Sequence, residues 1–183
     1  VDYQYDANGI RVTASIDGQE TRYLIDANQA LPEVLLEYTP SGLVVVSYVL
    51  GRDLISQVRS GTPSFYLADG SGSIRALTTA AGSITDRYIY DAFGVPISSL
   101  GTTPNTYRFA GEQFDQNLDL VYLRARYLNP QSGRFASADP FPGLLSDPTS
   151  LHRFVYAGGD PVNRIDPSGQ FAITIELSFS ISL

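Results

Sequence analysis

With 183 residues, 43% of them hydrophobic and only 17% charged, the chain is long enough to bury a core as one domain or a small pair. Its net charge of −7, with arginine as the sole basic type, excludes the basic surface that a nucleic-acid backbone requires. Without cysteine it has no disulfide or thiolate site, and no apolar run reaches the roughly 20 residues of a membrane-spanning helix.

Turn signals punctuate residues 1–106. "YDANG" (5–9), "IDAN" (25–28), "ADGSG" (68–72) and "YDAFG" (90–94) each place an aspartate after alternating apolar residues, at positions 6, 26, 69 and 91. A degenerate unit, "YVLGRDL" (48–54), fills the longest gap, so the period is about 20–22 residues, one β-hairpin per unit. Between the turns lie strand-like stretches: "IRVTASI", "TRYLI", "GLVVVSYVL", "SIRALTT" and "TDRYIY". Glycine and asparagine accept positive φ, and an aspartate side chain bonds its own backbone two residues on. Asp6, Asp26, Asp69 and Asp91 are therefore read as turn-formers, and the tyrosines as packing on a sheet face. A short helical turn is expected near 142–153. His152 is the only histidine, and no serine sits in a nucleophile elbow, so no serine triad is expected. No metal or cofactor motif occurs, and no N-x-S/T sequon, although the serine and threonine content would permit O-linked glycans.

The YD units, followed by "YRFAGEQFDQNLDLVYLRARYLNPQSGRFASADP" (107–140) and "RFVYAGGDPVNRIDPSG" (153–169), resemble the Rhs/YD-repeat family and its Rhs-associated core. The resemblance implies a spiralling β-sheet shell plugged at its end by the core. It also implies, as in bacterial toxin members, an aspartyl-type self-cleavage that releases a C-terminal toxin. Two carboxylates sharing a proton can activate water and protonate a leaving amide, because one pKa rises and the other falls. By this resemblance the candidate residues are Asp139 and Asp166, with Arg134 to orient or hold charge. Departures from the pattern count against cleavage: Asn129 stands in "LNP" where the family has an acid, "FPG" lengthens the first Asp-Pro turn, and Gln170 and Phe171 follow "DPSG" where leucine is usual. Self-cleavage is accordingly expected to be impaired or absent.

The chain closes on "FAITIELSFSISL" (171–183), in which Phe171, Ile173, Ile175, Leu177, Phe179, Ile181 and Leu183 alternate with Ala, Thr, Glu and Ser. This is the period of one long amphipathic strand, spanning about 43 Å at roughly 3.3 Å per residue. It can fold back through a turn at Pro167–Gly169 or be donated to the next copy, and the reading favours donation. The expected fold is all-β: antiparallel hairpin repeats rolled into a partial shell or barrel, with the terminal amphipathic strand. Its parts are a YD-repeat hairpin region (1–106), an Rhs-associated core (107–169) and the C-terminal strand (170–183). The first functional reading is a secreted structural subunit, extracellular or on the cell surface, that assembles head-to-tail with copies of itself into a filament. The second is the end piece of an Rhs toxin cage that cuts itself once near residue 170, and the third a cell-surface binding module. The missing methionine, even at position 1, suggests a processed product or a fragment.

Overall fold

The structure is a computed structural model in which residues 1–175 are described. It is nearly all β. Ten strands form one antiparallel meander: β1 (Asp2–Tyr5), β2 (Arg11–Ile16), β3 (Gln19–Asp26), β4 (Glu33–Tyr38) and β5 (Val44–Leu50) are followed by β6 (Leu54–Arg59), β7 (Thr62–Ala68), β8 (Ile74–Thr78), β9 (Ile84–Tyr90) and β10 (Pro96–Leu100). Each strand pairs with its neighbours in sequence, and β1 does not meet β10, so the sheet is open. A four-stranded sheet follows: β11 (Gln113–Asp115), β12 (Leu120–Leu123), β13 (Arg126–Asn129) and β14 (Arg134–Phe135). Last come a 3₁₀ turn at Pro148–Leu151, within the span expected to be helical, and the small pair β15 (Arg164–Ile165) and β16 (Ile173–Thr174).

The turns explain the repeat. Asp6 accepts from the amides of Asn8 and Ile10, Asp69 from Ser71 and Ser73, and Asp91 from Phe93 and Val95, all within 2.8–3.1 Å. Three residues on, Gly9, Gly72 and Gly94 adopt φ of 77°, 80° and 93°, which only glycine takes without strain. Asp26 caps more simply, accepting only the Asn28 amide at 2.9 Å among backbone donors. Thr39 and Thr79 do the same work at two turns the aspartate pattern does not mark, with Thr39 Oγ1 accepting from Leu43 and Thr79 Oγ1 from Ser83. Asp17-Gly18 and Ser60-Gly61, at positive φ throughout, close two-residue hairpins. In a meander, successive turns alternate between the two ends of the sheet. The turns carrying Asp6, Asp26, Asp69 and Asp91 therefore all fall at one end.

That end is where residues 107–135 pack. The Phe109 ring lies against Gly94, where an added Cβ would sit 2.5 Å from it, and Ala110 N donates to Ser73 Oγ at 2.8 Å. Tyr48, Tyr66, Tyr88 and Tyr90 alternate onto the inner face of the large sheet and share one buried cluster with Tyr107, Phe109, Val121, Leu123, Leu128, Phe135 and Tyr156. At the other margin Arg11, 4% exposed, pairs with Asp115 at 3.0 Å and donates to Gln113 at 2.7 Å. Its guanidinium lies 4.5 Å from the centre of the Tyr122 ring, and Tyr3 donates a short hydrogen bond to the same Asp115. The core is thus a seam between the meander and the segment that follows it.

Candidate active site

Both candidate aspartates lie in loops that return to β13, the strand that carries Arg126. Arg126 alternates inward beside Leu128, and the Phe135 ring lies 3.6 Å beneath its guanidinium. Its Nη2 reaches Asp139 Oδ2 at 2.8 Å and Asp166 Oδ2 at 3.4 Å, so one nitrogen bridges both carboxylates. Nη1 donates to the Arg153 carbonyl at 3.1 Å, and Nε makes a short bond to the carbonyl of Gly169. Burial pulls the Arg126 pKa down, against the two aspartates that hold it up.

Asp166 is buried at the mouth of the "DPSG" turn. Its Oδ1 accepts from Ser168 Oγ at 3.1 Å and from the backbone N–H groups of Gln170 and Phe171, each at 3.0 Å. Burial raises its pKa despite these donors and Arg126. Asp139 is half-buried; its Oδ1 accepts from the Phe141 amide at 2.8 Å, and its main chain is fixed by Arg153 in both directions, Asp139 N to Arg153 O at 2.8 Å and Arg153 Nε to Asp139 O at 2.7 Å. A cleft of ≈ 560 Å³ opens over Arg126, Asp139, His152, Asp166, Gln170 and Phe171. The arrangement provides a buried carboxyl that accepts from two backbone N–H groups, a second, half-buried carboxylate on the same arginine, and a cation on the adjoining carbonyl. These are groups that general acid–base hydrolysis of an amide can use.

The structure brings Asp139 and Asp166 together, and the arginine between them is Arg126, not Arg134. Arg134 is exposed, its backbone pairs with Asn129 and bridges to Val155, and its guanidinium has no hydrogen-bond or ion-pair partner among the described residues. The alternation in "YLRARYLN" was the available signal for Arg126, since it puts that arginine on the same strand face as Leu128. Asn129 caps the following turn, accepting from Ser132 N at 3.3 Å, and is outside the cleft, so its lost acidity does not alter the pair. His152 is exposed and lines the cleft. Among the described residues no cluster of three or more metal-ligating side chains occurs.

The terminal strand begins on its own chain. Ile173 pairs with Ile165 and Thr174 with Arg164, antiparallel, and Ile175 N donates to Asn163 O at 2.7 Å. The segment is expected to pair with a neighbouring copy; residues 173–174 pair along one edge with β15 of their own chain, to which the turn through Pro167–Gly169 returns them. Phe171 is 65% exposed at the cleft. Leu177, Phe179, Ile181 and Leu183 lie outside the described residues.

An open YD-turn meander with a second small sheet packed on one end, and an arginine-bridged aspartate pair on its last loops, defines a protein of the YD-repeat class. The Teneurin YD-shell family model matches residues 1–162, and the chain belongs to that family. It is 34% identical over 174 residues to the tRNA nuclease WapA of Bacillus subtilis (strain 168), covering 92% of this chain and 7% of that protein. It is also 33% identical over 137 residues to salivary gland surface protein 1 of Aedes aegypti, covering 73% of this chain and 4% of that protein. Among solved structures, the Photorhabdus luminescens Tc holotoxin pore aligns over 98% of this chain and 9% of its own, with a TM-score of 0.68 at 20% identity. A crystal structure of TcdB2-TccC3 aligns over 91% of this chain and 9% of its own, with a TM-score of 0.67 at 21% identity. These two likenesses are of fold. The chain thus spans less than a tenth of the length of each of these four proteins. Among the described residues no helix is long and apolar enough to cross a membrane.

Proposed function

We propose that this chain is the end piece of an extracellular YD-repeat toxin shell and cuts itself once, near residue 170, through Asp139 and Asp166. The observation that carries the reading is the placement of one backbone segment, 169–171, against Asp166 and against Arg126, which also holds Asp139. Asp139 removes a proton from a cleft water whose oxygen adds to the carbonyl carbon of Gly169 or Gln170. Asp166 gives its proton to the departing nitrogen as the C–N bond breaks. The proton taken up by Asp139 replaces the one given by Asp166, so the proton count of the pair is unchanged. Net, one water is consumed, leaving a carboxyl terminus and an amine.

In this proposal residues 1–106 are shell wall, 107–169 the plug with its protease, and 170–183 the start of the released part. The family match and the toxin and nuclease relatives support a shell end more than a filament subunit, as does the pairing of residues 173–175 within the chain. Intact-mass spectrometry of the purified 183-residue chain tests it. The expected result is a species ending at 169 or 170 that accumulates in the native protein and is absent from Asp139→Asn and Asp166→Asn. An uncut native chain, or cutting that both variants retain, would overturn the assignment.

A further inference from the structure

The turn between β12 and β13 grips the loop of Asp166 through consecutive carbonyls. Arg124 Nη1 donates to Pro167 O at 2.6 Å, Ala125 N to Ser168 O at 3.3 Å, and Arg126 Nε to Gly169 O. The two backbones touch: a Cβ on Gly169 would lie 2.3 Å from Leu123 O. Arg124 is itself anchored from behind. Its Nη1 meets Glu112 Oε1 at 2.8 Å, and its Nε donates to Pro32 O in the loop after β3 at 3.1 Å. One arginine thereby ties the plug and the wall of the meander to the proline of "DPSG".

The grip has work to do, because Asp166 does not choose a bond by itself. Its Oδ1 accepts from both Gln170 N and Phe171 N at 3.0 Å, so what separates the two bonds is which carbonyl the arginine holds, here that of Gly169 on Arg126 Nε. A loop free to slide by one residue would offer both. We propose that Arg124, held by Glu112, is a positioning residue that sets the register of residues 167–171 over the aspartate pair, so that a single peptide bond is cut. This rests on the self-cleavage reading above.

Glu112 is fully enclosed, and burial pushes its pKa up to about 7 against the attraction of Arg124. Glu33 and Asp166, both acidic, raise it further, and the adjoining cavity of ≈ 170 Å³ also holds Arg11, Arg52 and Asp53. Ionised Glu112 holds Arg124 on Pro167, and neutral Glu112 relaxes that hold. Register fidelity should therefore be higher at pH 8 than at pH 6.

The test is the mass of the products from the 183-residue chain, followed over time at both pH values, with cooperative thermal melting to establish that each variant is folded. The native chain should give one C-terminus at pH 8 and a growing share of a second at pH 6. Arg124→Gln should cut on the order of 10- to 100-fold more slowly and yield both termini at either pH. Glu112→Gln should yield both termini with no change between pH 6 and 8, and Arg124→Lys should restore part of the rate without the fidelity. A folded Arg124→Gln, or a folded Glu112→Gln should the first not fold, that gives the native product at the native rate overturns the positioning role while leaving self-cleavage standing. A native chain that is never cut removes both.

Discussion

Asp91 shows what a single turn residue contributes. Its carboxylate satisfies the amides of Phe93 and Val95, and Gly94 beside it leaves room for the Phe109 ring. Asp91→Ala should lower unfolding free energy by about 1–2 kcal/mol through the two lost bonds, measured by urea denaturation. Glu112 acts on stability in a pH-dependent way. Its folded pKa of about 7 stands above its ordinary 4.5, so between those values the folded protein keeps a proton that the unfolded chain has released. The stabilisation is therefore full below pH 4.5 and is lost as pH rises through about 7. Asp166, also raised by burial, adds in the same direction. Thermal midpoints should fall from pH 5 to pH 8 in the native protein and fall less in Glu112→Gln. Of these residues, the turn aspartates were legible from sequence because their partners are two and four residues away. Arg126 was not, because Asp166 is 40 residues along the chain.

Between elements, the seam around Arg11 concentrates the cost of separation. Arg11 and Asp115 are both 4% exposed at the side chain, so removing one leaves the other buried without its partner. Arg11→Ala should destabilise the protein by about 3–5 kcal/mol, read as a shift in the urea midpoint, whereas Arg22→Ala, at an exposed pair with Glu20, should cost under about 1 kcal/mol. The strands themselves were largely written in alternation: β2, β3, β5, β8 and β9 coincide with the stretches that read as strands. β7 opens on Thr-Pro after a Ser-Gly turn, so only the Asp69 turn at its far end marks it in the sequence. Thr39 and Thr79 hid two further turns, since a threonine hydroxyl caps like an aspartate without announcing it. The terminal segment reads as a strand by its period, but period does not say which edge it joins. That is decided by the glycine turn against Leu123 and Arg126, a contact between distant parts of the chain.

Across the whole molecule, nearest-neighbour pairing in the meander sets an order of events. Each hairpin can close with its own turn as soon as it leaves the ribosome, at little loop-closure cost. The inner tyrosines 48, 66, 88 and 90 gain their buried partners only when residues 107–156 arrive and seat against them. Arg126, Asp139 and Asp166 all follow the meander in the sequence, and Arg124, held by Glu112, reaches its wall through Pro32. Synthesis from the N-terminus thus works as an interlock. On the proposed reading, the aspartate pair is completed only after the meander against which its loops pack.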